Sequence, residues 1–241
     1  MVRAAAGGSG PAPGVAVTTF GWRHGWAELR AVDTANLAVV PDGVDAASTL
    51  PVAGVTALQA LRGPGPVIGR RVLVTGASGG VGGFAVQLAA RAGAEVVASV
   101  GNPARAEQLT ELGAAQVVTD LSDITKPVFG VLDNGGGSQL TQAFALVEPG
   151  GRALSIGKAS GASTTIDFEA ERLRGGGRAV APFVVSTPFG TDLDHLVGLL
   201  CRGQLDPQTG WRGPWQRAAE AADMLLSRRV LGKAVLDVVH E

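Results

Sequence analysis

Apolar positions along this chain follow two periods. Short runs over 71–75, 95–100, 116–119, 128–133 and 152–156 are rich in Val, Leu, Ile and Ala, the pattern of strands buried on both faces. Between them the spacing becomes helical. Val81, Phe84, Ala85, Leu88 and Ala89 form one stripe and predict a helix over 80–91. Further helices are predicted over 103–112 and 140–146. Strands alternating with helices imply an α/β fold, a doubly wound parallel sheet with both faces covered.

The flanks are less regular. Residues 1–14, rich in Ala, Gly, Pro and Ser, read as loop or disorder. Strands are expected over 15–19 and 27–32, around a turn at Gly21–Gly25. Pro41-Asp42-Gly43 is a turn signal. Leu50, Val55, Leu58 and Leu61 predict a helix stopped by Gly63-Pro64. Near the end, Leu193, Leu196, Val197 and Leu200 predict a helix closed by Gly203, with Cys201 on its apolar stripe as a core thiol and His195 on the surface. Pro214 suits the first turn of a helix reaching Ser227, and a strand is expected over 233–239.

Composition narrows the function. The 241 residues suffice for one large domain, or one and a smaller companion, with 46% hydrophobic and 17% charged residues. A net charge of −1 gives no field favouring nucleic acid or an anionic membrane. No apolar run approaches the roughly 20 residues that span a bilayer, and the first ten residues lack a signal-peptide core. One cysteine allows no internal disulfide. The expectation is a cytoplasmic protein acting on a small molecule, without nucleic acid or membrane partners. With one cysteine and three histidines, His24, His195 and His240, far apart in sequence, no zinc site is expected, and histidine with carboxylates is the only route left to a metal.

The chemistry concentrates in Thr75-Gly76-Ala77-Ser78-Gly79-Gly80-Val81-Gly82, between the strand at 71–75 and the helix at 80–91. Glycine permits a tight turn and close approach of backbone to a pyrophosphate at a helix N-terminus. In that context the segment is a dinucleotide-binding signature. The string satisfies both T-G-x-x-x-G-x-G, the short-chain dehydrogenase pattern, and G-x-x-G-x-x-G. Short-chain enzymes need a catalytic tyrosine, and this chain has none.

Other blocks carry a more specific resemblance. They are 46–57 (Ala-Ala-Ser-Thr-Leu-Pro-Val-Ala-Gly-Val-Thr-Ala), Glu111-Leu112-Gly113-Ala114, Asp133-Asn134-Gly135-Gly136-Gly137, 149–157 (Pro-Gly-Gly-Arg-Ala-Leu-Ser-Ile-Gly) and Gly232-Lys233-Ala234-Val235-Leu236. In order and spacing, from about Gly14 onward, the chain resembles the medium-chain dehydrogenase/reductase superfamily, especially its zinc-independent quinone/enone reductase branch. The resemblance implies a Rossmann-type dinucleotide domain over 51–205. It also implies a truncated GroES-like β domain over 1–50, joined by 206–241. Only the last part of that β domain, about 14–42, is recognisable, and the zinc-ligand region is missing with it. A homodimer or another partner is expected to cover its exposed edges.

The activity implied is hydride transfer from a nicotinamide to a quinone or an α,β-unsaturated carbonyl. The alternative is a family member with lost or redirected catalysis: a regulatory or scaffolding protein, or a non-redox enzyme such as a cyclase. Expected cofactor contacts are Gly76, Ser78, Gly79, Gly80, Val81 and Gly82 at the bend, with Ser99, Gly101 and Arg105 after the second strand. Asn134 and Gly157 follow later strands, and Arg228 and Thr56 complete the set. NADP(H) is favoured over NAD(H), because the second strand ends Ala98-Ser99-Val100-Gly101-Asn102 without the acid that binds ribose hydroxyls. Asn102 reads as an N-cap and Pro103 as the first helical residue. Arg105 then falls in a first turn, where the helix dipole disfavours a cation and a 2′-phosphate would favour one. Relatives often carry a tyrosine where Asp120 stands, which weakens that preference. The catalytic candidates are Thr56, matching a family threonine near the nicotinamide, Lys158 as donor or solvated loop lysine, and His24 as proton source or exposed side chain. The neighbourhood of Phe20 is expected to line the substrate pocket.

Overall fold

The structure, a computed structural model, describes residues 8–238. The expected loop over 1–7, His240 and the last residue of the strand predicted over 233–239 lie outside the described residues. In chain order the elements are β1 (Val17–Thr19), β2 (Leu37–Val39), α1 (Val55–Leu61), β3 (Arg71–Thr75), α2 (Gly80–Arg91), β4 (Glu95–Ser99), α3 (Ala106–Glu111) and β5 (Gln116–Val118). Then follow β6 (Val128–Asp133), α4 (Gly137–Ala145), β7 (Val147–Ser155), α5 (Phe168–Arg174), β8 (Ala179–Pro182), α6 (Gly190–Cys201), β9 (Thr209–Pro214), α7 (Ala218–Leu226) and β10 (Lys233–Asp237).

The chain forms two compact units, Thr56–Val185 and the flanks Met1–Val55 with Ser186–Glu241. The central unit holds a six-stranded sheet in the order β5-β4-β3-β6-β7-β8. Every neighbouring pair in it is parallel. The chain starts in the middle at β3, winds outward through β4 and β5, then returns to β6 beside β3. This is the Rossmann topology, with its switch point between β3 and β6.

Alternation along the strands explains the double covering. Leu73, Val97 and Val131 pack with Leu140, Ala143 and Phe144 of α4 on one face. Val72, Val74 and Val96 are fully buried, and α2 packs against β3 and β4 with Phe84, Ala85 and Val86 inaccessible to solvent. Strands with both faces covered need no polar alternate residues, hence the continuous apolar runs.

The flanking unit carries two small sheets. β1 pairs antiparallel with β2, and β9 pairs parallel with β10. Phe189 stacks on Phe20 with ring centroids 4.3 Å apart, and the backbone N–H of Phe189 donates to Asn36 Oδ1 at 2.9 Å. The packing boundary therefore differs from the expected 51–205 span: α6 packs with the first fifty residues, and Leu196 lies against Gly54.

Three further expectations are corrected. Residues 27–32 form no strand; the partner of β1 is 37–39, and Arg30 turns its guanidinium back onto the Thr19 hydroxyl. Pro214 ends β9 and precedes a short 3₁₀ turn at Trp215–Arg217, so α7 begins later than its position suggested. Cys201 is exposed rather than buried, because it is the last residue of α6 and the apolar stripe ends before it.

Candidate functional site

The bend after β3 is built as its glycines require. Gly76 has φ of +58°, a left-handed conformation that other residues adopt at a cost. Gly79 is the N-cap of α2 and, having no side chain, leaves the first turn uncapped. The N–H groups of Gly80, Val81 and Gly82 have no intrahelical partner by helix geometry, and the helix dipole is positive there. A Cβ on Gly82 would lie 2.3 Å from the Gly76 carbonyl oxygen and 2.7 Å from Ala77 Cα. Only glycine lets the helix sit this close to the bend. Gly79 is exposed and Ser78, Gly80 and Val81 are half-buried, so the uncapped turn opens outward from a buried strand end.

The second strand feeds the same place. Ser99 is buried at the end of β4, and its carbonyl accepts from Ala77 N at 3.1 Å. Gly101 is exposed, with open space where a Cβ would stand. Asn102 caps the following turn, its Oδ1 accepting from Ala104 N at 3.0 Å. Arg105 closes that turn, and its Nη1 donates to Ser78 Oγ at 3.1 Å. Residue 120 is an exposed aspartate whose carboxyl is held below its ordinary range, first by the backbone N–H of Ser122.

Across the switch point, β6 ends in Asp133, which is inaccessible to solvent, as is Thr75 at the end of β3. Thr75 Oγ1 donates to Asp133 Oδ1 at 2.6 Å and accepts from Asn134 N at 3.1 Å. Asn134 Nδ2 donates to the Thr75 carbonyl at 2.9 Å, and Gly136 N donates to Asp133 Oδ2 at 2.7 Å. The Asp133 carbonyl accepts from Ile156 N at 2.8 Å and Gly157 N at 3.1 Å, bringing in the loop after β7. Gln139 on α4 reaches back to Ser99 Oγ at 3.5 Å.

Most of the expected contact set therefore meets at one end of one sheet: Gly76 to Gly82, Ser99, Arg105, Asn134 and Gly157. Lys158 follows on the same loop and is exposed. Thr56 stands half-buried at the start of α1. His24 and Arg228 belong to the flanking unit, both exposed and both with positive φ, +59° and +58°. Sequence reasoning did not single out Thr75, Asp133 or Gln139. An aspartate at the end of an otherwise apolar strand was the available signal for Asp133, since a buried carboxylate needs donors. Among the described residues, no group of three or more His, Cys, Asp or Glu side chains is placed to hold a metal ion. No helix there is long and apolar enough to cross a membrane.

A parallel sheet with a glycine bend and open helix N-terminus at its switch point defines a dinucleotide-binding type of α/β domain. Comparison with known proteins narrows this further. The family model for zinc-binding dehydrogenases matches residues 80–197. A quinone oxidoreductase of Pseudomonas aeruginosa is 30% identical over 231 residues, 88% of this chain and 70% of that protein. The acrylyl-CoA reductase AcuI of Ruegeria pomeroyi is 33% identical over 184 residues, 65% of this chain and 54% of that protein. Here the chain spans about half the relative's length. Among solved structures, the yhdH oxidoreductase from Salmonella enterica in complex with NADP superposes with a TM-score of 0.68 at 25% identity, covering 83% of this chain and 66% of that one. The chain belongs to the medium-chain dehydrogenase/reductase superfamily, of the quinone/enone reductase type.

Proposed function

We propose that the protein is an NADPH-preferring, zinc-independent reductase that delivers hydride to a quinone or an α,β-unsaturated carbonyl. The observation that carries this reading is the glycine bend: a Cβ at Gly82 would strike backbone, and nothing caps α2 at Gly79. A cradle of open N–H groups at a helix N-terminus fits a pyrophosphate. Relatives named as a quinone oxidoreductase and an acrylyl-CoA reductase, and a structural neighbour holding NADP, point the same way.

The residues divide the work. Gly76, Ser78, Gly79, Gly80, Val81 and Gly82 hold the pyrophosphate. Ser99, Gly101 and Arg105 receive the adenosine ribose, and the missing acid there, with a cation in its place, favours a 2′-phosphate. Asn134 and Gly157 border the nicotinamide side, with Thr56 donating near the ring. When bound, the nicotinamide supplies the hydride. The negative oxygen that develops on the substrate needs a donor, for which Lys158 and His24 are the candidates. Arg228 is a further candidate for a cofactor phosphate. The zinc-independent part rests on one cysteine and three scattered histidines. In this reading residues 1–50, joined by 206–241, belong to a GroES-like substrate domain, and the protein works as a cytoplasmic homodimer.

The test is titration with NADPH and NADH, followed by oxidation assays against a panel of quinones and enones. Binding with turnover on a panel member is expected. Binding without turnover on any of them would favour the non-redox alternative, and no binding would reject the cofactor assignment.

A further inference from the structure

The backbone ladder between β3 and β6 pairs Val72 with Gly130, Leu73 with Val131 and Val74 with Leu132. Beyond it, Thr75 and Asp133 meet through side chains. This is the seam between the two halves of the fold, β3-β4-β5 for one mononucleotide and β6-β7-β8 for the other. Both oxygens of the Asp133 carboxylate accept, one from Thr75 and one from Gly136 N. The Thr75 hydroxyl passes the connection on to Asn134 N. The Asp133 carbonyl holds the N–H groups of Ile156 and Gly157. One residue thus touches the bend after β3, the loop after β6 and the loop after β7.

A structural role alone is a poor account of this arrangement. Burying a carboxylate carries a desolvation cost, and an apolar pair of similar shape would join two strands without it. The polar set does what an apolar pair cannot: it aims the N–H groups of Asn134 and Gly136 and holds Asn134 beside Gly76. A Cβ on Gly76 would lie 3.3 Å from Asn134 Cβ.

We propose that Asp133 is a positioning residue that fixes the nicotinamide side of the crevice relative to the pyrophosphate bend, acting through Thr75 and Gly136. The proposal rests on the dinucleotide reading given above. Asp133→Asn must turn its N–H₂ either toward Gly136 N, where no bond can form, or toward Thr75 Oγ1, where the hydroxyl has to accept and gives up the bond it donates to the carboxylate. Thr75→Val removes the hydroxyl at nearly constant shape, and Thr75→Ser keeps it.

The experiment measures the affinity of each variant for NADPH and for adenosine 2′,5′-bisphosphate, which fills only the adenosine half. Loss of a hydrogen bond to a charged group predicts that Asp133→Asn and Thr75→Val weaken NADPH by about tenfold, while Thr75→Ser stays within about twofold. The bisphosphate should bind all three within about twofold of the native protein. NADPH affinity unchanged in Asp133→Asn and Thr75→Val would overturn the proposal. So would parallel loss of both ligands, which marks general damage rather than positioning. If Asp133→Asn does not fold, the Thr75 pair decides alone. A native protein that binds neither NADPH nor NADH rejects the dinucleotide reading together with this inference, whereas native binding with unaltered variants rejects only the inference.

Discussion

The guanidinium of Arg105 donates through Nη1 to Ser78 Oγ across 3.1 Å, so the turn after β4 is tied to the glycine bend after β3. A cation is thereby held over the part of the crevice where the adenosine ribose is expected. Arg105→Ala should weaken NADPH by about tenfold, since a hydrogen bond to a charged group is worth about 1.5–3 kcal/mol and about 1.4 kcal/mol is a factor of ten. NADH should change little. Parallel KM measurements for the two cofactors check this, and equal losses for both would mean that Arg105 does not read the 2′-phosphate.

Two glycines of the site should respond in opposite ways to a methyl group. Gly82→Ala forces a Cβ into the Gly76 carbonyl oxygen and Ala77 backbone, neither of which can swing away. Overpacking of about 1–3 kcal/mol is expected, read as a fall of several degrees in Tm. Gly101→Ala meets open space and should leave Tm unchanged. A thermal melt of the two variants beside the native protein distinguishes them.

Gly79→Asp separates binding from stability in a different manner. Its Cβ would lie 3.3 Å from the Gly76 oxygen, a tight but yielding contact. The carboxylate would cap the helix and place negative charge where the pyrophosphate should sit. NADPH binding should be abolished in a protein that still melts cooperatively. Retained affinity by fluorescence titration would dislodge the pyrophosphate from this bend.

Burial pushes the Lys233 amine below the ordinary lysine value. The unfolded chain then binds the proton more tightly than the folded one, so stability falls as pH drops from the ordinary lysine value, about 10.4, through the lowered one. Lys233→Met should raise Tm at neutral pH, with the gain shrinking as pH approaches about 10.4. Melts of both proteins at pH 7 and pH 10 test the sign. A constant difference would show that the amine is solvated when folded.

The proton source can be assigned by paired variants. His24→Asn keeps a residue that tolerates positive φ, and Lys158→Met keeps the stem. The one that supplies the proton should lose about 10²-fold or more in kcat with little change in NADPH affinity. Unchanged kcat in both would leave the solvent as donor.

What the sequence revealed follows from how strongly each segment's period is imposed. The bounds of β3, α2 and β6 agree with their expected ranges, because both faces of the sheet are buried and every residue reports on it. α5 left no trace: Phe168 and Leu173 are 70% and 78% exposed, so no apolar stripe marks it. Its only signals were the cap, Asp167 accepting from Glu169 N and Ala170 N at 3.0 Å each, and Gly175 at positive φ. β9 reads Thr-Gly-Trp-Arg-Gly-Pro, a turn composition overridden by parallel pairing with β10. The glycines of the site were legible because backbone geometry alone demands them. The Thr75–Asp133 bond was not, because 58 residues separate its partners and only the strand order brings them together.

That bond also polices assembly. Side chains of a strand alternate between faces, so sliding β6 by one residue would swing its carboxylate to the opposite side and leave it among hydrocarbon without donors. Mispaired versions of this sheet are penalised at the same atoms that shape the crevice, and a chain that has closed this contact has already chosen its correct alignment.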